Sequence, residues 1–396
     1  NGGLGTGMGL QGPKSLLTVR EPSTTFLDLI VVQMGRLADS CAQRGLRAPR
    51  FVLMNSAATA EETRAHLEGH ALVEGEGWHE LMQSVAPKVD AATLRPATSP
   101  DPAQAQRLEW YPPGHGDLYA SLAASGMLEQ LLAEGYQYAF VSNADNLGAT
   151  LDLRLLTHFA RSGAAFLMEC CLRTASDKKG GHLARKKGGE GLLLRESAQC
   201  PEEDEGSFQD TSRHRYFNTN NLWVDLKALK QALDQAEGGV LPLPLIKNGK
   251  TLDPRDKASA KVLQLETAMG AAIEAFGDKA AAVCVPRRRF SPVKTCADLL
   301  ALRSDAYAET AEGAVALEAA QPPLIKLDDR YKLVDDFEQL VRKGTPSLRA
   351  CRSLSVSGPV VFGAGCAFTG DVAVRNSGEA EKELPGKAYA DEEVEL

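Results

Sequence analysis

The chain has 396 residues, 43% hydrophobic and 24% charged, which is ordinary globular composition and excludes a disordered, collagen-like or disulfide-stapled protein. Its net charge is −8, but residues 377–396 alone hold seven acids and two lysines, so the rest of the chain is near neutral. That argues against a general nucleic-acid binder, while leaving room for a small anionic substrate held by a few placed cations.

The chain opens on Asn1-Gly2-Gly3, without an initiator Met, a basic stretch or an apolar stretch. No signal peptide is visible, and the chain is expected to begin inside a longer protein. No run approaches the roughly 20 apolar residues of a membrane helix, so no membrane partner is expected. Eight scattered cysteines form no C-x-x-C pair. They predict a reducing, cytoplasmic setting, no structural zinc, and a core position for Cys170 and Cys171. His66 and His70 have the spacing of a helical metal pair, but no third ligand is nearby in sequence, so a solvated helix face is expected.

Short apolar runs at Phe51–Met54, Tyr138–Val141, Ala165–Met168 and Leu222–Val224 predict buried strands. Leu118–Glu134 and Asp256–Phe276 predict helices, the second with Val262, Leu265, Met269, Ile273 and Phe276 on one face. Such alternation predicts an α/β sheet with helices on both faces. Residues 177–205 read as a long surface excursion, and Ala308–Leu340 as a helical linker broken at Pro322-Pro323. Beyond Cys351 the period becomes six. Leu354, Val360, Cys366 and Val372 form one register, Val356, Phe362, Phe368 and Val374 a second, and glycines punctuate both. That predicts about three coils of a small parallel β-helix, with a glycine-rich meander as the alternative. The expected division is a catalytic domain at 1–305, a helical linker at 306–350, and coils plus an acidic tail at 351–396.

Six glycines stand among residues 1–12. They let a backbone approach a ligand and aim N–H groups at an anion, with Lys14 adding a positive charge. The loop nearly fits the Walker pattern, but Pro13 removes a donor just before Lys14. At 111–117, two prolines and two glycines set His115 and Asp117 on a tight turn. Asp145 follows a strand end, where ligands of α/β sheets gather and a magnesium ion could be held. Asn218, Asn220 and Asn221 offer amides suited to sugar hydroxyls, and Glu266, placed within the second helix, needs a donor that such hydroxyls would supply. Residues 285–294 hold four cations and two prolines. They are either a basic surface patch or a rigid mount aiming Lys294 at an anion.

Taken together, NGGLGTGMGLQGPKS at 1–15, YPPGHGDLYAS at 111–121, VSNADNLGATLD at 141–152, FNTNNLWV at 217–224, QLETAMGAAI at 264–273 and VPRRRFSPVK at 285–294 resemble the eukaryotic UTP–glucose-1-phosphate uridylyltransferase family. The related N-acetylhexosamine uridylyltransferases typically carry an arginine in the loop where this chain has Met8. The resemblance implies a Rossmann-like nucleotidyltransferase sheet, a small C-terminal β-helix, and magnesium-dependent synthesis of UDP-glucose and pyrophosphate from UTP and glucose 1-phosphate. It implies that Gly2, Gly3, Leu4, Gly5, Gly114, Gly116, Asn143 and Asp145 line the nucleotide. Lys14 would meet the phosphates, Gln83 would read uracil and Asp145 would hold magnesium. His115, Gly181, Asn220 and Glu266 would face the sugar phosphate. Lys294, with Lys14, would serve the reaction centre. Near Gln83 this chain has Val85-Ala86-Pro87 where the family often has Arg-Tyr-Pro, and Arg173 stands where a lysine is usual. A uridylyltransferase for galactose or N-acetylglucosamine phosphates, or a non-catalytic nucleotide-sugar binder, are the alternative readings. Self-association through the C-terminal region is a further expectation.

Overall fold

In the computed structural model, which describes every residue except 11, 21–22, 69, 71–77, 175–176, 179, 186, 189–190, 255 and 311–312, the first long element is helix α1 (Phe26–Gln43). Thr25 and Asp28 close a capping box at its start, satisfying two of the N–H groups that a helix start leaves open. Strand β1 (Phe51–Asn55), helix α2 (Ala60–Leu67) and strand β2 (Trp78–Met82) follow, with β1 and β2 paired in parallel. Leu27 and Val31 of α1, Leu53 of β1 and Leu67 of α2 bury one another in a small cluster. Because α2 ends at Leu67, His70 comes from the turn beyond it. Neither histidine lies on a purely solvated face, since both reach Asp28 at the start of α1.

The stretch expected as one helix at 118–134 forms two, α3 (Leu118–Ala124) and α4 (Met127–Ala133), parted at Gly126. Then come β3 (Tyr138–Val141), α5 (Leu153–Ser162), β4 (Phe166–Leu172), β5 (His182–Arg185), β6 (Leu192–Arg195), β7 (Tyr216–Asp225) and α6 (Leu226–Gln235). The expected helix at 256–276 is a correction. Its first half is strand β9 (Lys261–Thr267), antiparallel to β8 (Leu245–Thr251), and its second half is a 3₁₀ stretch at Met269–Glu274. The apparent 3.6-residue stripe straddled two elements, and pairing with β8 satisfies the strand's backbone.

Strand β10 (Ala280–Cys284) runs parallel to β4, while β7 pairs antiparallel with β3, β4 and β5, giving a mixed six-stranded sheet. Strand β4 is buried on both faces. Phe166, Met168 and Cys170 join a core under α3 and α6, and Leu167 packs with Trp223 and with Phe159 of α5. Helices therefore cover both faces, as the unbroken apolar run predicts. Glu169 sits on the same strand with no solvent exposure, its two oxygens accepting from Arg289, Trp223 and Asn221. A carboxylate so deep is tolerated only because every acceptor is matched.

Helix α7 (Cys296–Arg303) again starts on a capping box, Thr295 with Asp298. The expected helical stretch after it carries instead three short strands, Tyr307–Glu309, Val315–Leu317 and β11 (Leu324–Leu327), before α8 (Val334–Val341). The Pro322-Pro323 pair directly precedes β11, where proline's missing N–H would break a helix. Strands β12 (Ser347–Ser357), β13 (Val360–Phe362), β14 (Ala367–Arg375), β15 (Lys382–Leu384), β16 (Ala388–Ala390) and β17 (Glu393–Glu395) complete the chain. Here β11, β12, β14 and then β16 with β17 pair in parallel rungs, and β13 pairs in parallel with β15. This is not the antiparallel pairing of a meander. Leu354 lies opposite Val372 and Val356 opposite Val374, so three hexads close one turn. All eight residues of the two registers are at most 3% exposed. Gly358 turns one corner at φ +78°, where any Cβ would run into the Asn376 carbonyl. These rungs share a core with α7, α8 and Met8 of the glycine loop. No helix among the described residues is long and apolar enough to cross a membrane.

Candidate active site

The glycine loop lies beside the carboxyl ends of β1 and β2. The Asn1 amide donates to Asn55 (2.7 Å) and Thr63 (3.0 Å), and the Ser56 hydroxyl donates to the Gly2 carbonyl (2.9 Å). The Lys14 N–H closes the loop on the Gly3 carbonyl (3.2 Å). Gly3 has open space where a Cβ would stand, so one wall of the loop is free for a ligand. Gly2 abuts the Gln83 side chain, whose Nε2 donates to the Gly114 carbonyl (2.6 Å). Gln83 thus joins the glycine loop to the 111–117 turn. Leu4 and Gly5 continue the same loop, with Gly5 at φ +61°.

Gly114 and Gly116 do more than flank His115. Each lies flat against Thr267 at the end of β9. A Cβ on Gly114 would come within 2.5 Å of the Thr267 carbonyl oxygen, and one on Gly116 within 2.8 Å of its carbonyl carbon. No side chain fits there, and Gly114 also sits at φ +84°. His115 Nδ1 accepts from the Met269 N–H (2.9 Å), so the ring's proton resides on Nε2. Burial, with Lys294 nearby, pushes its pKa down to about 4, so it is a neutral donor at physiological pH.

Lys14 and Lys294 meet on one atom. Their Nζ atoms donate to Asp145 Oδ2 at 2.7 and 2.8 Å, and Lys14 also bonds the Val293 carbonyl. Burial opposes ionisation of Asp145, but Lys294 and Lys14 hold its carboxyl below the usual range. Its other oxygen, Oδ1, is buried and has no hydrogen-bond partner among the described residues. The mounts are rigid. The Asn146 side chain accepts from the Ser291 N–H (2.9 Å) and donates to Asn221 and to the Arg289 carbonyl, bolting the 143–148 turn to the 287–293 turn. Asn143 contributes its carbonyl to that turn, accepting from the Asn146 N–H. The basic run therefore splits by role. Arg289 is buried on Glu169, Arg287 pairs with Asp177 (2.8 Å) over the Phe217 ring, Arg288 is exposed, and Lys294 faces Asp145.

A polar cluster forms where β7 breaks register between Asn218 and Leu222. Asn220 there takes φ +58°, a left-handed conformation that a non-glycine residue holds only when its surroundings over-determine it. Asn218 does so: its Nδ2 donates to Asn220 Oδ1 (2.7 Å) and its Oδ1 accepts from the Asn220 N–H (2.8 Å). The Gly181 carbonyl accepts from the Asn218 N–H, and the Gly181 Cα lies against the Glu196 carboxyl. Glu266 accepts from Asn248 (3.1 Å) and its Cβ borders Gly114. Its position on a strand corrects the helical placement expected from sequence. Glu196 is the candidate site residue that sequence reasoning missed. Burial lifts the Glu196 carboxyl to about 7. No local motif marks it, because it sits in an excursion that looks like solvated loop.

A glycine cradle, a carboxylate clasped by two lysines and a cluster of amides, gathered at strand ends, make the plan of a nucleotidyltransferase. The relatives narrow that class. A family model described as UTP–glucose-1-phosphate uridylyltransferase matches residues 1–368, and the chain belongs to that family. A potato protein named UTP–glucose-1-phosphate uridylyltransferase is 41% identical over 400 residues, spanning all of this chain and 80% of its own. The yeast protein of that name is 40% identical, over 97% of this chain and 74% of its own. Among solved structures, UDP-glucose phosphorylase from Trypanosoma brucei superposes with a TM-score of 0.91 at 49% identity, covering all of this chain and 84% of its own. UDP-glucose pyrophosphorylase from Leishmania major, a mutant solved with UDP-glucose, superposes at 0.90 and 46%, with the same coverage.

Proposed function

We propose that the chain transfers a uridylyl group from UTP to glucose 1-phosphate, giving UDP-glucose and pyrophosphate. A phosphate oxygen of the sugar attacks the α-phosphorus in line, the bond from that phosphorus to the bridging oxygen breaks, and pyrophosphate leaves. The attacking oxygen is already anionic, so no general base is needed. The obstacle is repulsion between two polyanions, and placed positive charge is the remedy.

One observation carries this reading: Lys14 and Lys294 converge on Asp145, which still has one buried oxygen without a partner among the described residues. Without substrate, the two ammonium groups are neutralised by one carboxylate. Phosphates arriving in the cradle offer them a stronger anionic partner. The free Oδ1 suits a magnesium ion, which is commonly held by one or two carboxylates plus substrate phosphates. Such an ion, held by Asp145, would supply further neutralisation of phosphate charge. Lys294, with 57% of its side chain exposed, has more freedom to turn toward a ligand than Lys14 at 16%.

Gln83 and the backbone around Gly2–Gly5, Gly114 and Gly116 are assigned to the uracil and ribose, with Asn143 beside Asp145 on the nucleotide side. His115, as a neutral Nε2–H donor, is assigned to the sugar phosphate, and Gly181, Glu196, Asn218, Asn220 and Glu266 to glucose hydroxyls. The main sheet reads as Rossmann-like and the rungs as a parallel β-helix serving stability or self-association, since no assigned residue lies in them. The eight unpaired cysteines fit a cytoplasmic setting. Pyrophosphate release from UTP tests the reading, run with glucose, galactose and N-acetylglucosamine 1-phosphates, each with and without magnesium. The expected result is fastest release with glucose 1-phosphate. No release with any sugar phosphate would point to a binding protein on the same fold.

A further inference from the structure

Away from that site, three side chains with metal-binding chemistry meet where α1 abuts α2. We propose that Asp28, His66 and His70 form a second metal site, for a divalent transition ion of the zinc type. The ligand atoms of all three lie within 4.8 Å of one another. Both imidazoles present the same atom to the same oxygen: His66 Nε2 is 2.7 Å and His70 Nε2 3.3 Å from Asp28 Oδ1.

The carboxylate is held ready. Its other oxygen, Oδ2, accepts from the Thr25 N–H (2.7 Å) and the Thr25 hydroxyl (2.8 Å), so the helix cap fixes the plane in which Oδ1 faces the histidines. Outer contacts of this kind orient metal ligands and raise affinity. A tetrahedral ion with bonds of roughly 2.0–2.1 Å spaces its ligands by roughly 3.3 Å. The Asp28–His70 separation already has that value, and His66 needs to withdraw by about half an ångström from hydrogen-bond range. The side chains are 21–32% exposed, so an ion can enter and water can fill the fourth position. Two imidazole nitrogens and one carboxylate favour zinc-type ions over magnesium or calcium, which prefer oxygen.

The site is separate from Asp145 but mechanically joined to the cradle. Helix α2 carries His66 and also Thr63, which accepts from the Asn1 amide of the glycine loop. A bound ion would pin that helix to α1 behind the loop.

The test uses full-length protein freed of metal by chelator, titrated calorimetrically with zinc in an excess of magnesium. One zinc per chain is expected, with a thermal-stability rise on binding. Cobalt should give the visible bands of a four-coordinate nitrogen–oxygen site, without thiolate charge-transfer bands. His66→Gln and His70→Gln should each weaken zinc about tenfold or more and abolish the thermal shift, while uridylyl transfer in magnesium alone stays at the parent rate. Zinc binding as strong in the double variant as in the parent, thiolate bands with cobalt, or no zinc binding against magnesium would each overturn the site. In the last case, the three side chains would be a cross-helix hydrogen bond alone.

Discussion

In the C-terminal rungs, Leu354, Val360, Cys366 and Val372 reach the core by a local rule, one residue in six, and each rung repeats its neighbour. In the cradle, Lys14 and Lys294 reach Asp145 from 131 and 149 residues away, and no local rule brings them there. The rungs are stabilised by apolar burial, which is non-directional and tolerant of detail. The cradle is stabilised by directed polar contacts whose errors are costly, and its two lysines share a single carboxylate. Substitutions in the two regions should therefore separate stability from turnover.

The largest effect belongs to the rungs. Phe362 is fully buried and packs edge-on against Phe368. Phe362→Ala should cost about 3–5 kcal/mol of unfolding free energy, read by denaturant melts, with KM for glucose 1-phosphate unchanged. A loss of sugar affinity in the folded variant would break the separation. Next comes Lys294→Gln, which keeps a donor on a slightly shorter side chain but removes charge. Stability should hold, while the single-turnover rate falls on the order of 10²–10³. A rate within about threefold of the parent would make Lys14 the leading cation. Smaller again is Glu266→Gln, which weakens charge-assisted hydrogen bonds worth about 1.5–3 kcal/mol. KM for glucose 1-phosphate should rise with little change for UTP, and an effect confined to UTP would move Glu266 out of the sugar pocket.

What was legible in the sequence follows the same divide. The apolar runs of β1, β3, β4 and β7 and the hexad registers were readable because burial leaves a periodic trace. Glu266 was placed on a helix because the apolar spacing of β9 and the 3₁₀ stretch after it ran together into one false stripe. Residues 306–327 looked helical by composition, but pairing partners elsewhere in the chain decided otherwise. The glycine loop and Asp145 were legible as chemistry, and their meeting was implied by family resemblance rather than by spacing. Arg289 could not be told from Arg287 or Arg288 in sequence. Only its buried partner Glu169, 120 residues away, distinguishes it. Asp28 escaped as a neighbour of His66 for the same reason, at a separation of 38.

The smallest predicted effect tests where the two kinds of region meet, in a carboxyl that burial disturbs beside the proposed sugar site. Glu196 lies against Gly181, and burial alone lifts its pKa to about 7. In the unfolded chain it would titrate near ~4.3. Between those values the folded protein holds a proton that the unfolded chain has released, so folded stability declines as pH rises through that window. The contribution is fully present below the lower value and lost above the upper one. Glu196→Gln removes the titration and keeps the shape. The variant should match the parent in thermal unfolding near the bottom of the window. It should then exceed the parent increasingly toward about pH 8, by a modest margin because the side chain is only partly shielded. Sugar hydroxyls would stabilise the ionised form, so saturating glucose 1-phosphate should flatten the parent's pH profile and leave the variant's unmoved. A variant–parent difference that is constant with pH would show that Glu196 titrates normally. A profile in the parent that glucose 1-phosphate does not flatten would show that Glu196 is buried by protein alone and does not meet the sugar.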